Sequence, residues 1–169
     1  MKNIRRFAVI LMICMLLMAC GDNGANGAGT GSESASVAAE YPPMGVKDLD
    51  AFLAANKGTP VMLMFWTTWC PSCKEAVPEL EKLSQAYNDK VKILAVSLDE
   101  SKDALDAFFA KKKLDLPVYH GDQAIAQKFG VEAIPTLLMF DKNGKQVFGQ
   151  PGVFPYEMLK IMADKLMAQ

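Results

Sequence analysis

An uninterrupted apolar run, Val61-Met62-Leu63-Met64-Phe65-Trp66, is the sharpest feature in the hydrophobic pattern of this 169-residue chain. Its length suits a strand buried on both faces. Behind it, Ala76, Leu80, Leu83 and Tyr87 recur at helical spacing, which predicts a helix from about Pro71 to Asn88 with a kink at Pro78. Ahead of it, residues 48–56 predict a short helix with Leu49, Phe52 and Leu53 on one face, stopped by Gly58-Thr59-Pro60. The pattern continues with a strand at 91–97, a helix at 101–113 ending in three lysines, and a short strand from Leu116 to Tyr119. A short helix from Asp122 to Phe129 follows, which Gly130 can terminate. Residues 136–141 and 145–149 predict a hairpin around Lys142-Asn143-Gly144, and Phe154 to Met167 a closing helix. Strand–helix–strand units followed by a hairpin and a helix imply an α/β fold, a mixed central sheet with helices on both faces.

The first 43 residues fall outside that pattern. Lys2, Arg5 and Arg6 precede an uncharged stretch from Phe7 to Ala19, the layout of an export signal. The stretch is short for a membrane-spanning helix, which needs about 20 apolar residues. It ends Leu17-Met18-Ala19-Cys20-Gly21, which resembles a bacterial lipobox. On that reading residues 1–19 are a signal peptide and Cys20 carries lipid; an ordinary signal peptide or an uncleaved anchor is the alternative. Gly21 to about Pro43 is rich in Gly, Ala, Ser and Asn without apolar periodicity, so residues 20–43 read as the lipidated cysteine and a flexible tether. About 20 such residues span on the order of 25 Å. Residues 44–169 remain as one domain, long enough to bury a core.

Composition then narrows the function. Of 18 Lys and Arg, three fall in residues 1–19, which leaves 15 against 19 acidic residues, near −4 for the mature chain. That balance argues against nucleic-acid binding. An exported protein meets an oxidising compartment, where disulfides persist.

The chemistry follows directly on the first strand, at Trp69-Cys70-Pro71-Ser72-Cys73. Two thiols this close can form a disulfide only where the backbone turns sharply, as at a helix start. Pro71 suits the first helical position. Cys70 then lies at the helix N-terminus, which favours a thiolate, and Cys73 lies one turn deeper on the same face. An attacking thiol backed by a resolving thiol is equipped for dithiol–disulfide exchange. A zinc site would need further Cys or His ligands. The lipoprotein reading removes Cys14 and Cys20 and leaves only His120, so no metal or organic cofactor is expected.

Three segments together, FWTTWCPSCK, the proline five residues after the second cysteine, and AIPTLLMFDKNGK, resemble a thioredoxin-fold protein over roughly residues 45–168. The longer connection between residues 98 and 121 is similar to the insert of the membrane-anchored TlpA/ResA type. The resemblance implies a thioredoxin-like three-layer α/β/α sandwich. It implies Cys70 as exposed nucleophile, Cys73 as resolving thiol and Trp69 as the flanking aromatic. It makes Pro135 the cis-proline facing the dithiol, with Ile134 offering its backbone to an extended client, and Gly152 the glycine that keeps the client groove open. It further implies a monomer that reduces disulfides of exported proteins, such as apocytochrome c, with electrons from a membrane thiol donor.

One departure stands out. Thioredoxin's buried acid, six residues before the first cysteine, and its lysine partner on the next strand correspond to Met64 and Ala95. The usual proton acceptor for Cys73 is therefore missing; Glu75 is a substitute in reach, though an exposed helix glutamate normally faces water. Two other functions compete. A thiol peroxidase would use Thr67, three residues before Cys70, but its motif has a proline where this chain has Leu63. A copper-binding assembly factor would use the thiols with His120, but typically spaces its cysteines by three residues. His120 is expected to face solvent or cap, and Met62, Met64 and Met139 to fill the core.

Overall fold

The computed structural model describes residues 41–87 and 90–169. The expected signal peptide, lipidated Cys20 and most of the tether lie outside the described residues, as does Asn88. Among the described residues the order is β1 (Pro43–Met44), α1 (Val46–Ala55), β2 (Val61–Trp66), α2 (Pro71–Tyr87), β3 (Lys92–Ser97), α3 (Lys102–Phe109), β4 (Val118–Gly121), α4 (Gln123–Lys128), β5 (Thr136–Phe140), β6 (Gln146–Pro151) and α5 (Tyr156–Met167).

The strands form one sheet in the order β1-β4-β3-β2-β5-β6. β1, β4, β3 and β2 run parallel, while β5 pairs antiparallel with both β2 and β6. Side chains alternate across β2, so its apolar run serves two cores at once. Met62, Met64 and Trp66 join Ala76, Leu80 and Leu83 of α2 and Leu159 and Leu166 of α5 on one face. Val61, Leu63 and Phe65 join Leu49 of α1 and Ile125 of α4 on the other. Each such side chain, fully buried, contributes roughly 1.5–3 kcal/mol. This is the three-layer α/β/α sandwich expected from the pattern, with Met62, Met64 and Met139 in the core as anticipated.

Several elements differ from the sequence reading: α1 starts two residues earlier, at Val46, and β6 runs on to Pro151. β1 was not foreseen; its two residues pair with His120 and Gly121, and Tyr41 just before it is buried, stacked 5.3 Å from Phe109. Packing therefore begins ahead of residue 44. α3 stops at Phe109, short of the three lysines, because Phe108 and Phe109 dock on Trp66 with ring centroids 5.3 and 6.4 Å away. The lysines follow in the turn, and Lys112 reaches back over the Phe108 ring at 6.0 Å. β4 begins two residues late, since Pro117 has no N–H to pair and only its carbonyl accepts from Ala95. α2 spans Pro71–Tyr87 with Pro78 inside it, as the spacing predicts.

The sheet places the chemistry. β2 ends at Trp66, whose carbonyl accepts from Leu98 N–H at 2.8 Å, extending the β2–β3 ladder to the point where both strands leave the sheet. From there Thr67-Thr68-Trp69 carry the chain to Cys70 and the start of α2.

Candidate active site

Pro71 opens α2, so Cys70 sits where backbone N–H groups are unpaired. Its sulfur accepts from the Cys73 backbone N–H at 3.2 Å and lies 3.3 Å from the Ser72 hydroxyl. In protonated form the thiol donates to the Ile134 carbonyl at 3.8 Å. Both cysteines are free thiols.

Burial pushes the Cys70 thiol up, but the bonds from the Cys73 thiol, the Ser72 hydroxyl and both backbone amides outweigh it. Its pKa falls below the ordinary 9.0. Cys73 goes the other way. Burial, the proton it shares with Cys70, and the charges of Cys70 and Asp99 push it up to about 12, only partly offset by the Thr67 backbone. The two shifts are opposed: the site favours the thiolate on the outer sulfur and disfavours it on the inner one.

Cys70 is less open than the sequence reading expected of an exposed nucleophile: it is 5 % exposed, and Cys73 0 %. The Ile134–Pro135 segment across from it and the first turn of α2 close around the sulfur. What is open is the rim. Trp69 is 68 % exposed. Ile134–Pro135 is a cis peptide, and the Pro135 carbonyl accepts from Gly152 N–H at 2.8 Å, which brings exposed Val153 to the same rim. Gly152 has φ +140°, a conformation open to glycine. A Cβ there would meet nothing nearer than the Phe154 ring at 3.8 Å, so backbone conformation rather than space within the chain requires the glycine. Cys70, Cys73, Trp69, Ile134, Pro135 and Gly152 therefore gather at one end of the sheet, as the motifs implied.

The other candidates separate from this group. Met64 and Ala95 are register partners, both fully buried, so the position of thioredoxin's ion pair is apolar. Glu75 is exposed on α2. The Thr67 hydroxyl is buried with no hydrogen-bond partner, so it does not serve Cys70 as the peroxidase reading required. His120 is neither free nor at the thiols: its Nε2 engages the Asp99 carbonyl at 2.8 Å.

Asp99 is the residue that the sequence reading missed. It is buried at the end of β3, and its carboxylate accepts from Thr68 N–H, the Thr68 hydroxyl and the Ser97 hydroxyl. The signal available was the tail of the strand pattern, Ser97-Leu98-Asp99, which puts a second polar side chain on the face of Ser97.

The pKa asymmetry has a direct readout. Iodoacetamide should label the reduced protein at Cys70 alone around neutral pH, with the rate falling as acidification carries the thiol through its lowered pKa. Cys73 should resist until pH approaches about 12. Equal labelling of both sulfurs at neutral pH, read by peptide mass spectrometry, would contradict the arrangement.

Known proteins carry the same architecture. Residues 58–146 match the thioredoxin-like family. Thiol-disulfide oxidoreductase ResA of Bacillus thuringiensis subsp. konkukian is 32% identical over 173 residues, covering 98% of each chain. StoA of Bacillus subtilis superposes with a TM-score of 0.57 at 27% identity, covering 64% of this chain and 84% of that one. The exposed lipoprotein thioredoxin of Streptococcus pneumoniae gives a TM-score of 0.62 at 25% identity, over 68% and 90%. With an outer thiol of lowered pKa, an inner thiol of raised pKa and these relatives, the chain belongs to the thioredoxin-like family and is a thiol-disulfide oxidoreductase similar to ResA.

Proposed function

We propose that the protein is a membrane-tethered, extracytoplasmic reductase of disulfides in exported proteins, apocytochrome c among the fitting clients. The observation that carries this reading is the Cys70–Cys73 pair at the start of α2, with opposed pKa shifts, beside an exposed apolar rim. The Cys70 thiolate attacks one sulfur of a client disulfide; the other leaves as a thiolate and takes a proton from water. The client is then joined to Cys70, its extended backbone lying along Ile134 as an added strand and its side chains against Trp69 and Val153. Cys73 gives up its proton and attacks Cys70, which expels the second client sulfur. Two electrons have passed to the client, and Cys70–Cys73 is left as a disulfide for a membrane thiol donor to reduce. No metal or organic cofactor takes part in these steps.

Tethering is supported by the basic start, the apolar stretch and Cys20 in its lipobox-like setting. A structural relative described as an exposed lipoprotein accords with it. The anchor in this reading is the lipid on Cys20.

The test is a Cys73→Ser protein expressed in cells. Without the resolving thiol, Cys70 should accumulate mixed disulfides with exported proteins, lost in a Cys70→Ser, Cys73→Ser control. Direction is read by equilibrating the wild-type pair against glutathione. A potential near that of the oxidant DsbA, about −120 mV, would reverse the reductase assignment.

A further inference from the structure

Residues 152–155, between β6 and α5, are tied down at both ends. At one end the Gly152 N–H donates to the Pro135 carbonyl at 2.8 Å, next to the Ile134 carbonyl that faces the Cys70 sulfur. At the other, where α5 begins, the Tyr156 N–H donates to Glu79 Oε2 at 2.8 Å. Pro155 is the N-cap of α5 and has no side-chain oxygen to accept that bond, so a helix-start amide is satisfied from another helix. Glu79 belongs to α2, the helix that carries Cys73, and its Oε1 pairs with Lys82. Between the two ties Phe154 turns inward, its ring centroid 6.0 Å from that of Phe148, while Val153 stands 40 % exposed.

We propose that Glu79 is a positioning residue for client binding: by tying Tyr156 to the cysteine-bearing helix it holds residues 152–155 as a fixed strap that presents Val153 to the client. The client chemistry this suits is an extended segment with an apolar side chain close to its cysteine. Without the Glu79 bond the strap keeps its anchor at Gly152 but loses the other. Its ordering is then left to the moment of binding, which weakens association. Attack on sulfur is untouched, because the hydrogen bonds at Cys70 and Cys73 do not involve Glu79.

The two helices themselves do not depend on this bond. Leu80 and Leu83 of α2 share a buried cluster with Leu159 and Ala163 of α5, and the Tyr87 hydroxyl donates to Asp164 further along. Loss of the Glu79 carboxylate therefore frees the strap and leaves the fold in place. The Lys82 pair lies at the surface, where such pairs contribute little, so the bond to Tyr156 is the one with a consequence.

This role rests on the exchange reading, and one experiment separates the two. Reduced full-length protein is mixed with excess insulin, or with bis(2-hydroxyethyl) disulfide, which is too short to lie along the strap. Samples are quenched in acid and the remaining Cys70 and Cys73 thiols are followed by mass spectrometry. A wild type oxidised by neither defeats the exchange reading itself; one oxidised by the small disulfide alone overturns the strap. In Glu79→Ala the half-saturating insulin concentration should rise about fivefold, with the limiting rate and the small-disulfide rate within about twofold of wild type. Glu79→Gln keeps an oxygen for the Tyr156 N–H and should recover most of that loss. Val153→Ala should also raise the half-saturating concentration, and adding Glu79→Ala to it should raise it little further, since both act through one contact. Tyr156→Pro removes the N–H and leaves Glu79 in place, at a first helical position that suits proline, and should reproduce Glu79→Ala. The proposal is overturned by unchanged half-saturation in Glu79→Ala, by equal slowing with both disulfides, by a Gln variant as impaired as the Ala one, or by additive losses with Val153→Ala. Unchanged half-saturation in Tyr156→Pro overturns it too, a comparison that holds even if Glu79→Ala does not fold.

Discussion

Cys70→Ser will fold and will lose disulfide-reducing turnover by on the order of a thousandfold or more. The hydroxyl has no accessible anion at neutral pH, so the helix-start donors that favour a thiolate have nothing to stabilise. Cys73 cannot take over, because it is fully buried and its pKa stands at about 12. The measurement is insulin reduction with dithiothreitol as electron source, alongside circular dichroism to show that the fold persists. Residual turnover within tenfold of the wild type would mean that the inner sulfur reaches clients, contrary to its burial.

The second large effect concerns the apolar floor of the site. Met64→Asp should destabilise the domain by about 3–5 kcal/mol at neutral pH, comparable to breaking a buried ion pair and leaving one charge uncompensated. That is a large share of the roughly 5–15 kcal/mol available to a domain. The pH dependence has a definite sign. Burial raises the new carboxyl's folded pKa above its unfolded value, so the variant's deficit is small where the group is protonated in both states. It deepens as pH rises through the unfolded value and levels off above the folded one. Adding Ala95→Lys places a cation on the register partner and should recover part of the loss. Urea unfolding of both variants at acid and neutral pH checks this. A neutral-pH loss below about 1 kcal/mol would show that water reaches Met64.

How much of this was visible in the sequence depends on what each element needs. β2, α2 and β3 announce themselves because long runs at one period leave few alternatives. β1 does not, because two residues carry no period and the strand exists only through His120 and Gly121. The end of α3 was misplaced because lysines prolong a helix by local preference, while Phe108 and Phe109 stop it by docking on Trp66, a contact no local pattern contains. The same division holds at the site. Cys70 and Cys73 were legible because their spacing around Pro71 is local, whereas Pro135 and Gly152 were reached only through the resemblance to thioredoxin-fold proteins, since what they face lies far along the chain. Asp99 was not legible, because its partner Thr68 lies 31 positions away and only the β2–β3 register joins them. The substitute acid sought at Glu75, near in sequence, faces outward instead.

The ends of the sheet have a consequence for life among unfolded clients. Under the proposed function the protein meets extended chains seeking an edge to extend, and an open edge invites aggregation. Here one edge, β1, offers only two residues. The other, β6, breaks register against β5 between Met139 and Phe140, and carries Gly149 and ends at Pro151, which has no N–H to give. Among the described residues both margins are thus poor seeds for growth, and under the proposed function that leaves the Ile134 backbone beside Cys70 as the place for a client strand.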